Sequence, residues 1–186
     1  YKAVVQYGSF KDSVQVEFMA DPRVPFSKEV YQAKRSLIDR LAKTFGKLTQ
    51  AIDQLDESNE IATKVAAQLT GVDTKEAKEL LKAAKAQQDS IKTIKEMLNG
   101  KRLEKQGYGR PYQLTALQKL NEAQGTINAK PVAPGAQEVK LVDQAEELSK
   151  QFIDRVNAYF TKDWPAFRKK VEETKVSLFK EYKPIQ

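Results

Sequence analysis

The sequence contains no histidine and no cysteine, and these two absences exclude more than any other property of its composition. Nearly all zinc, copper, haem and iron–sulfur sites use one of these residues as a ligand. Without these residues, the 186-residue chain cannot carry out Ser-His-Asp catalysis, Cys-His catalysis or phosphotransfer through histidine. Chemistry by carboxylates, lysine, tyrosine or an oxygen-ligated metal remains open, and we expect no bound cofactor.

Glycine and proline are also scarce, with 8 and 7 residues among 186, so long stretches can be helical without interruption. No run approaches the roughly 20 apolar residues that a membrane span requires. Hydrophobic residues make up 40% of the chain and charged residues 31%, a balance typical of a globular protein. The length suits one domain with a sizeable core.

The net charge of +7 makes polyanions one class of partner to consider. Lysines are interleaved with glutamate and aspartate, however, and no run of five like charges occurs. This pattern favours a solvated helical surface over a nucleic-acid interface. A basic helical bundle that binds nucleic acid or another polyanion is therefore kept as the second hypothesis of function.

The first twenty residues have a β pattern, unlike the rest of the chain. Residues 3–7 and 14–18 are rich in β-branched and aromatic residues, and residues 8–12 between them are typical of a turn. The pattern predicts a β-hairpin whose second strand places apolar side chains on one face. Because an isolated hairpin is marginal in water, we expect the bundle or a preceding β domain to cover it.

A stiff junction follows the hairpin, since Pro22 and Pro25 disfavour both helix and strand pairing. We therefore divide the chain into residues 1–22, a β-hairpin stub of a preceding domain with its linker, and residues 23–186, a helical bundle. The chain begins with Tyr1 rather than methionine, inside a strand pattern, and we expect it to be a piece of a larger protein.

The first helix has the clearest pattern. Ser27 is predicted as its N-cap, with Phe26 and Tyr31 as a hydrophobic staple. Its predicted core positions are Leu37, Leu41, Phe45, Leu48, Ile52, Leu55, Ile61, Val65 and Leu69. This spacing favours one helix over residues 27–69, and a kink near Ser58 is the alternative.

Three further helices are predicted. The second begins after Asp73 or Thr74 and ends at Gly100, the third is shorter, and residues 131–135 separate it from the fourth. Asp163 is expected to cap a final segment, and residues 136–182 form either one kinked helix or two. The predicted inward positions are Ala77, Leu80, Leu81, Ala84, Ile91, Ile94, Met97, Leu98, Leu114, Leu117, Leu120, Val139, Val142, Ala145, Leu148, Phe152, Val156, Tyr159, Phe167, Val171, Val176 and Phe179.

These elements together predict a mainly α fold. It is an antiparallel four-helix bundle with a long first helix, a broken last helix and a short N-terminal β-hairpin left from a preceding β-sandwich.

A basic and aromatic loop between the second and third helices is the candidate anion or partner surface. Basic groups and aromatic rings in one loop can bind phosphate or stack on bases. The plain alternative is a loop whose tyrosines pack on the bundle. The candidate residues are Lys101, Arg102, Lys105, Tyr108, Arg110 and Tyr112.

Four carboxylates, Asp53, Asp56, Glu57 and Glu60, share one face of the first helix. Paired carboxylates can hydrolyse glycosides or bind calcium, which makes a helical hydrolase the third hypothesis. Glycoside hydrolysis needs a cleft, however, and calcium usually needs backbone oxygens from a loop. A solvated acidic face is therefore the favoured interpretation, with no catalytic or metal-binding residue assigned.

The single tryptophan, Trp164, lies close in sequence to Tyr159, Phe160 and Phe167. An exposed cluster of aromatic rings would indicate sugar or partner binding. Packing at one end of the bundle is the favoured interpretation.

The chain resembles a known family in the order of these elements and in two short motifs. One is the Asp-Pro-Arg junction at residues 21–23. The other is the ending, with Asp-Trp-Pro-Ala-Phe at 163–167 and Lys-Pro-Ile at 183–185. The chain resembles the C-terminal region of large exported bacterial proteins of the Bacteroidetes type. These carry sortilin-like, BNR-repeat β-propellers and are often described as glycosyl-hydrolase-like.

The resemblance implies that residues 1–19 are the last strands of a β-sandwich between a propeller and the helices. It also implies a C-terminus near Gln186 and an exported location, in the periplasm, at the cell surface or secreted. It transfers no catalytic residue, and any hydrolase activity would belong to the propeller.

The favoured hypothesis is accordingly a non-catalytic C-terminal structural or interaction module of a larger exported β-propeller protein. Its expected partners are the upstream domains of the same polypeptide, with another protein as the second candidate. The alternatives are the polyanion-binding bundle and a part of a glycosyl hydrolase.

Overall fold

Helices dominate the structure, a computed structural model that describes residues 1–17, 19, 21–23, 27–101 and 114–174. The elements are β1 (Lys2–Tyr7), β2 (Phe10–Gln15), α1 (Lys28–Leu69), α2 (Lys75–Asn99), α3 (Ala116–Ala129), α4 (Ala136–Ala158) and α5 (Trp164–Glu173). A π-helical turn at Tyr159–Asp163 joins α4 to α5. The predicted four-helix bundle is confirmed, with its long first helix, its broken last helix and its N-terminal hairpin.

Helix α1 is continuous over 42 residues, which corresponds to a length of about 63 Å. Ser27 caps it as predicted, because its hydroxyl oxygen accepts a hydrogen bond from the N–H of Val30 at 3.3 Å. The polar stretch near the middle does not interrupt the helix. Ser58 is buried there, and its hydroxyl donates to the carbonyl of Gln54 at 2.8 Å. Phe26, the other half of the predicted staple, lies outside the described residues.

The ends of α1 and α2 follow the predicted capping chemistry. Thr74, rather than Asp73, caps α2, because its hydroxyl oxygen accepts from the N–H of Ala77 at 3.2 Å. Gly71 and Gly100 have φ of +89° and +82°, a conformation that residues with a Cβ rarely adopt. These glycines let the chain leave each helix abruptly.

Helices α1 and α2 run antiparallel. Lys95 near the end of α2 forms an ion pair with Asp56. Nearer the start of α2, the side-chain amide of Gln88 donates to the hydroxyl of Thr63 at 2.7 Å. Helix α2 therefore lies along the C-terminal part of α1.

Helix α3 lies along the N-terminal part of α1 and also runs opposite to it. Lys34 in the second turn of α1 donates to the carbonyl of Lys130, just after α3 ends. Lys130 also forms an ion pair with Glu138 at the start of α4, at 3.1 Å. Helices α3 and α4 are thus an antiparallel pair, and α2 and α3 follow one another along α1.

The buried side chains form two cores. The larger, which we call the proximal core, consists of Leu37, Leu41, Leu48, Ala51, Leu55, Ile91, Ile94, Leu98, Ala116, Leu120, Ala123, Ile127, Val142, Ala145, Phe152, Val156 and Tyr159. The smaller, which we call the distal core, consists of Ala62, Val65, Leu69, Ala77, Leu80, Ala84 and Phe167. Helix α1 contributes to both cores because of its length.

Four predicted inward positions are wrong: Ile61, Met97, Leu114 and Val139 are exposed. In the helices, an adjacent residue occupies the buried position instead. Ala62 replaces Ile61, Leu98 replaces Met97 and Glu138 replaces Val139. Neighbours in a helix point about 100° apart, so two adjacent residues cannot both face a narrow contact stripe. Leu114 precedes the N-cap of α3 and is not helical.

The predicted cap at Asp163 is wrong, because the chain does not leave the helix there. Asp163 has helical φ and ψ of −75° and −45°, and its side chain makes no capping hydrogen bond. The N–H of Trp164 instead donates to the carbonyl of Tyr159, five residues earlier. Residues 136–173 are therefore one continuous helical path with a wide turn inside it. Val176 and Phe179 lie outside the described residues.

The hairpin turn is tighter than predicted. Gly8 and Ser9 alone connect the strands, and Phe10 pairs with Tyr7 as the first residue of β2. Gly8 has a φ of +58°, as the first central position of a type II′ hairpin turn requires. The glycine makes the two-residue turn possible, so β2 begins four residues earlier than the sequence pattern suggested.

Candidate interaction surfaces

The hairpin has one apolar and one polar face. Residues opposite one another in an antiparallel pair point to the same side, so the strand register assigns each side chain to a face. Seven of the eight residues on one side are apolar, with Asp12 as the exception. This surface, which we call the apolar hairpin face, consists of Tyr1, Ala3, Val5, Tyr7, Phe10, Val14 and Val16.

The apolar hairpin face is open to solvent. Every residue of both strands is exposed, and the aromatic residues Tyr1, Tyr7 and Phe10 are 83%, 85% and 78% exposed. Full burial of an aromatic side chain covers roughly 150–250 Å², so these three alone present on the order of 400–600 Å². A patch of that size is at the upper end for monomeric proteins and commonly marks an interaction site. The described helices do not supply the cover that the sequence led us to expect.

A hydrogen-bonded turn leads from the hairpin towards the bundle. The backbone N–H of Arg23 donates to Asp21 Oδ1 at 2.9 Å, and Arg23 Nη2 donates to Oδ2 at 2.7 Å. These bonds lower the pKa of Asp21 below its usual value. Both side chains are solvent-accessible, so the ion pair orders the Asp-Pro-Arg turn locally.

The predicted basic and aromatic loop is described only at its first residue. Lys101 is exposed directly after the end of α2. The other five candidates lie outside the described residues: Arg102, Lys105, Tyr108, Arg110 and Tyr112. This candidate surface therefore stays a prediction.

The four carboxylates Asp53, Asp56, Glu57 and Glu60 are all exposed on α1. Asp56 forms its ion pair with α2, and Glu60 lies 3.6 Å from Lys64 one turn later. In the part of the chain that the structure describes, no three acidic side chains come close enough to hold a metal ion. The arrangement agrees with a solvated acidic face.

The favoured interpretation, packing at one end of the bundle, is confirmed only as far as packing goes, because the aromatic rings pack against the two cores. Tyr159 and Phe160 have ring centroids 5.1 Å apart in an edge-to-face contact, and Trp164 lies 5.5 Å from Phe167. Tyr159 and Phe167 are buried. The cluster does not close one end of the bundle, however, because Trp164 packs against both the proximal and the distal core.

Tyr159 carries an unsatisfied polar group in this cluster. Its hydroxyl is buried without a hydrogen-bond partner among the described residues. Burial raises the pKa of Tyr159 above its usual value, and Asp163 raises it further. The phenol is therefore neutral at physiological pH.

Arg40 joins α1 to α4, a contact that the sequence did not predict. Its Nη2 donates to Asp143 Oδ1 and to Glu146 Oε2, both at 2.6 Å, and its Nε donates to Glu146 Oε1 at 3.0 Å. These hydrogen bonds raise the pKa of Arg40, so the guanidinium stays charged. The bidentate contact fixes the register between the starts of α1 and α4.

Glu138 at the start of α4 is another residue that sequence reasoning missed. Its side chain is 7% exposed, with Oε2 accepting from the N–H of Gly135 at 2.9 Å and Oε1 accepting from Lys130. Glutamate three residues after a helix N-cap is a known capping signal, so the sequence did contain the clue. These hydrogen bonds, led by the one from Gly135, lower the pKa of Glu138.

Replacement of Glu138 by glutamine is expected to destabilise the protein at pH 7 but not at low pH. A carboxylate whose pKa is lowered on folding stabilises the folded state above its usual pKa, here 4.5. That stabilisation disappears as the pH falls through the lowered pKa. We expect Glu138→Gln to lower the Tm at pH 7, and the difference from wild type to shrink as the pH falls below 4.5. Thermal unfolding followed by circular dichroism measures this difference in Tm.

Glu147→Gln, at an exposed position of the same helix, is the control. An equal effect of both variants on the Tm would contradict the role assigned to Glu138.

Comparison of the chain with protein-family models, curated proteins and solved structures finds no match. Among the described helices, none combines the length and the apolar character that crossing a bilayer requires. The class that the structure itself defines is a mainly α bundle with a projecting amphipathic hairpin.

Proposed function

We propose that this chain is a non-catalytic interaction module at the C-terminal end of a larger exported β-propeller protein. In this proposal the hairpin attaches the bundle to the preceding β domain of the same polypeptide. One observation carries it: the apolar hairpin face is exposed along its whole length, although its composition is that of a buried surface.

The shape of the apolar hairpin face favours another β-sheet as its partner. Apart from Ala3, its side chains are β-branched or aromatic, and they stand on a pleated surface, as in the inner faces of sandwiches that pack about 10 Å apart. The hairpin also has two outer strand edges whose backbone groups can pair with further strands. Specific interfaces bury about 800 Å² on each side, a value that the exposed apolar area approaches.

The part of the bundle formed by α1–α4 has the properties of a rigid body that such an attachment would hold. Its proximal core contains buried side chains from four helices, and the Arg40 contact fixes α1 against α4. Helix α1 starts within a few residues of the Asp-Pro-Arg turn, so the chain between hairpin and bundle is short. A docked hairpin would therefore orient a rod about 60 Å long relative to the preceding domain.

Amide hydrogen exchange tests this proposal. In the isolated chain the hairpin amides should exchange nearly unprotected, because a two-stranded sheet without cover is marginally stable. In the full-length protein the same amides should become at least about 100-fold better protected. Tyr7→Lys, on the apolar hairpin face, should remove most of that gain. The matched variant Gln6→Lys, on the polar face, should keep it.

Two results would count against the proposal. Equal exchange of the hairpin in the isolated chain and in the full-length protein would mean that nothing covers the apolar face. Turnover of glycoside or peptide substrates by the isolated chain would contradict its non-catalytic role. The first result concerns the attachment and the second the chemistry, so the two parts of the proposal are tested separately.

A further inference from the structure

In the part of the chain that the structure describes, few contacts hold helix α5 on the bundle. Phe167, 4% exposed, is its one buried side chain, and it packs in the distal core. Val171 and Trp164 pack beside it and are only partly buried. The ion pairs that α5 forms in the described chain each join residues four positions apart within α5 itself. Among the described residues, three apolar side chains therefore supply the attachment of α5 to the distal core.

The segment that leads into α5 is a weak point of the helical backbone. The turn Tyr159–Asp163 is π-helical, and such single wide turns occur where a helix is interrupted or bent. Pro165 follows at once and has no N–H to donate to the preceding turn. The buried hydroxyl of Tyr159 has no partner among the described residues, so it adds no hydrogen bond that would strengthen the turn.

The distal core is also the weaker of the two cores. Counted over the described residues, it contains seven buried side chains, against seventeen in the proximal core, and three of the seven are alanines with little apolar surface. Trp164 packs against both cores and is the residue through which α5 touches the proximal core. The boundary between the two cores thus coincides with the π-helical turn.

We propose that α5 is a strap that detaches from α1 and α2 as a unit while α1–α4 stay folded, with Tyr159–Asp163 as the hinge. Detachment takes Phe167 out of the distal core, where it is buried in the closed state, and moves Trp164 away from the proximal core. This opening is independent of the hairpin and of its proposed docking.

Hydrogen exchange of the complete 186-residue chain, read by peptide mass spectrometry, tests the strap. Relative to their intrinsic rates, the amides of α5 should exchange at least about 100-fold faster than those of α4 between residues 140 and 156. Phe167→Ala should speed exchange in α5 at least tenfold further and leave α4 within about twofold of wild type. Arg168→Ala, at an exposed position of α5, should change neither rate.

A second variant covers the case in which Phe167→Ala unfolds the whole chain. Val171→Ala removes less apolar surface and should give the same selective effect at smaller size. Equal protection of α5 and α4 in the wild-type protein would overturn the proposal, because α5 would then open only when the whole bundle unfolds. Equal acceleration of both helices by Val171→Ala would overturn it for the same reason.

Discussion

Leu48→Asp is expected to abolish cooperative folding or to lower the Tm by at least about 15 °C. Leu48 is 3% exposed in the proximal core, and no basic side chain is buried among the described residues. Loss of the leucine side chain costs about 2–5 kcal/mol, and burial of a carboxylate without a partner costs several more. Because typical domains are stable by only about 5–15 kcal/mol, the sum removes most or all of the stability. Circular dichroism during thermal unfolding measures the outcome.

Gln50→Asp is the matched control for this variant. Gln50 lies two residues further along the same helix and is exposed, so the new carboxylate stays in water. It should lower the stability by less than about 1 kcal/mol, through helix propensity alone. Equal effects of the two variants would show that the register assigned to α1 is wrong.

Phe152→Ala is expected to destabilise the protein by about 3–5 kcal/mol, the usual cost of removing a fully buried phenylalanine. Phe152 is 1% exposed and lies where α4 faces the proximal core. For a chain of this length each kcal/mol shifts the Tm by about 2–4 °C, so a decrease of roughly 10 °C is expected. Chemical denaturation at constant pH gives the free energy of unfolding directly.

Phe160→Ala provides the comparison, because Phe160 is only partly buried and packs at the rim of the same core. Its replacement should cost less than half as much as that of Phe152. A larger effect at Phe160 than at Phe152 would mean that the aromatic cluster at the π-helical turn, rather than the α4 seam, dominates the stability of this region.

Local signals in the sequence predicted most of the helical architecture. The seam from Leu37 to Leu55 has the period of a helix, and both Ser27 and Thr74 cap their helices with the expected hydrogen bonds. Gly71 and Gly100 end α1 and α2 in the left-handed region of φ. Periodicity and capping depend on residues a few positions apart, which is why a single sequence reveals them.

The features that sequence reasoning missed depend on distant residues or on small backbone differences. Arg40 meets Asp143 and Glu146 from more than 100 positions away, and no local pattern indicates that pairing. The π-helical turn differs from an α-helix by one residue per turn, and Asp163 before Trp164 and Pro165 has the composition of an ordinary N-cap. Trp164 packs against both cores, a contact with residues far away in the sequence that no local pattern indicates.

The candidate surface was predicted in part. The alternation in residues 14–18 indicated an apolar strand face and a hairpin that needs cover. The sequence pattern had assigned Phe10 to a longer turn. The two-residue turn at Gly8 and Ser9 instead places Phe10 on the same face as Tyr7. The basic and aromatic loop cannot be compared in the same way, because all but Lys101 of its candidate residues lie outside the described part of the chain.

The central claim, that the hairpin is the docking surface of an interaction module, is tested most directly by hydrogen exchange of the β1 and β2 amides. The account predicts nearly unprotected amides in the isolated chain and at least about 100-fold slower exchange in the full-length protein. It also predicts that Tyr7→Lys reverses the gain while Gln6→Lys does not. Hairpin amides that exchange equally fast in both proteins, or that respond equally to both substitutions, would contradict it.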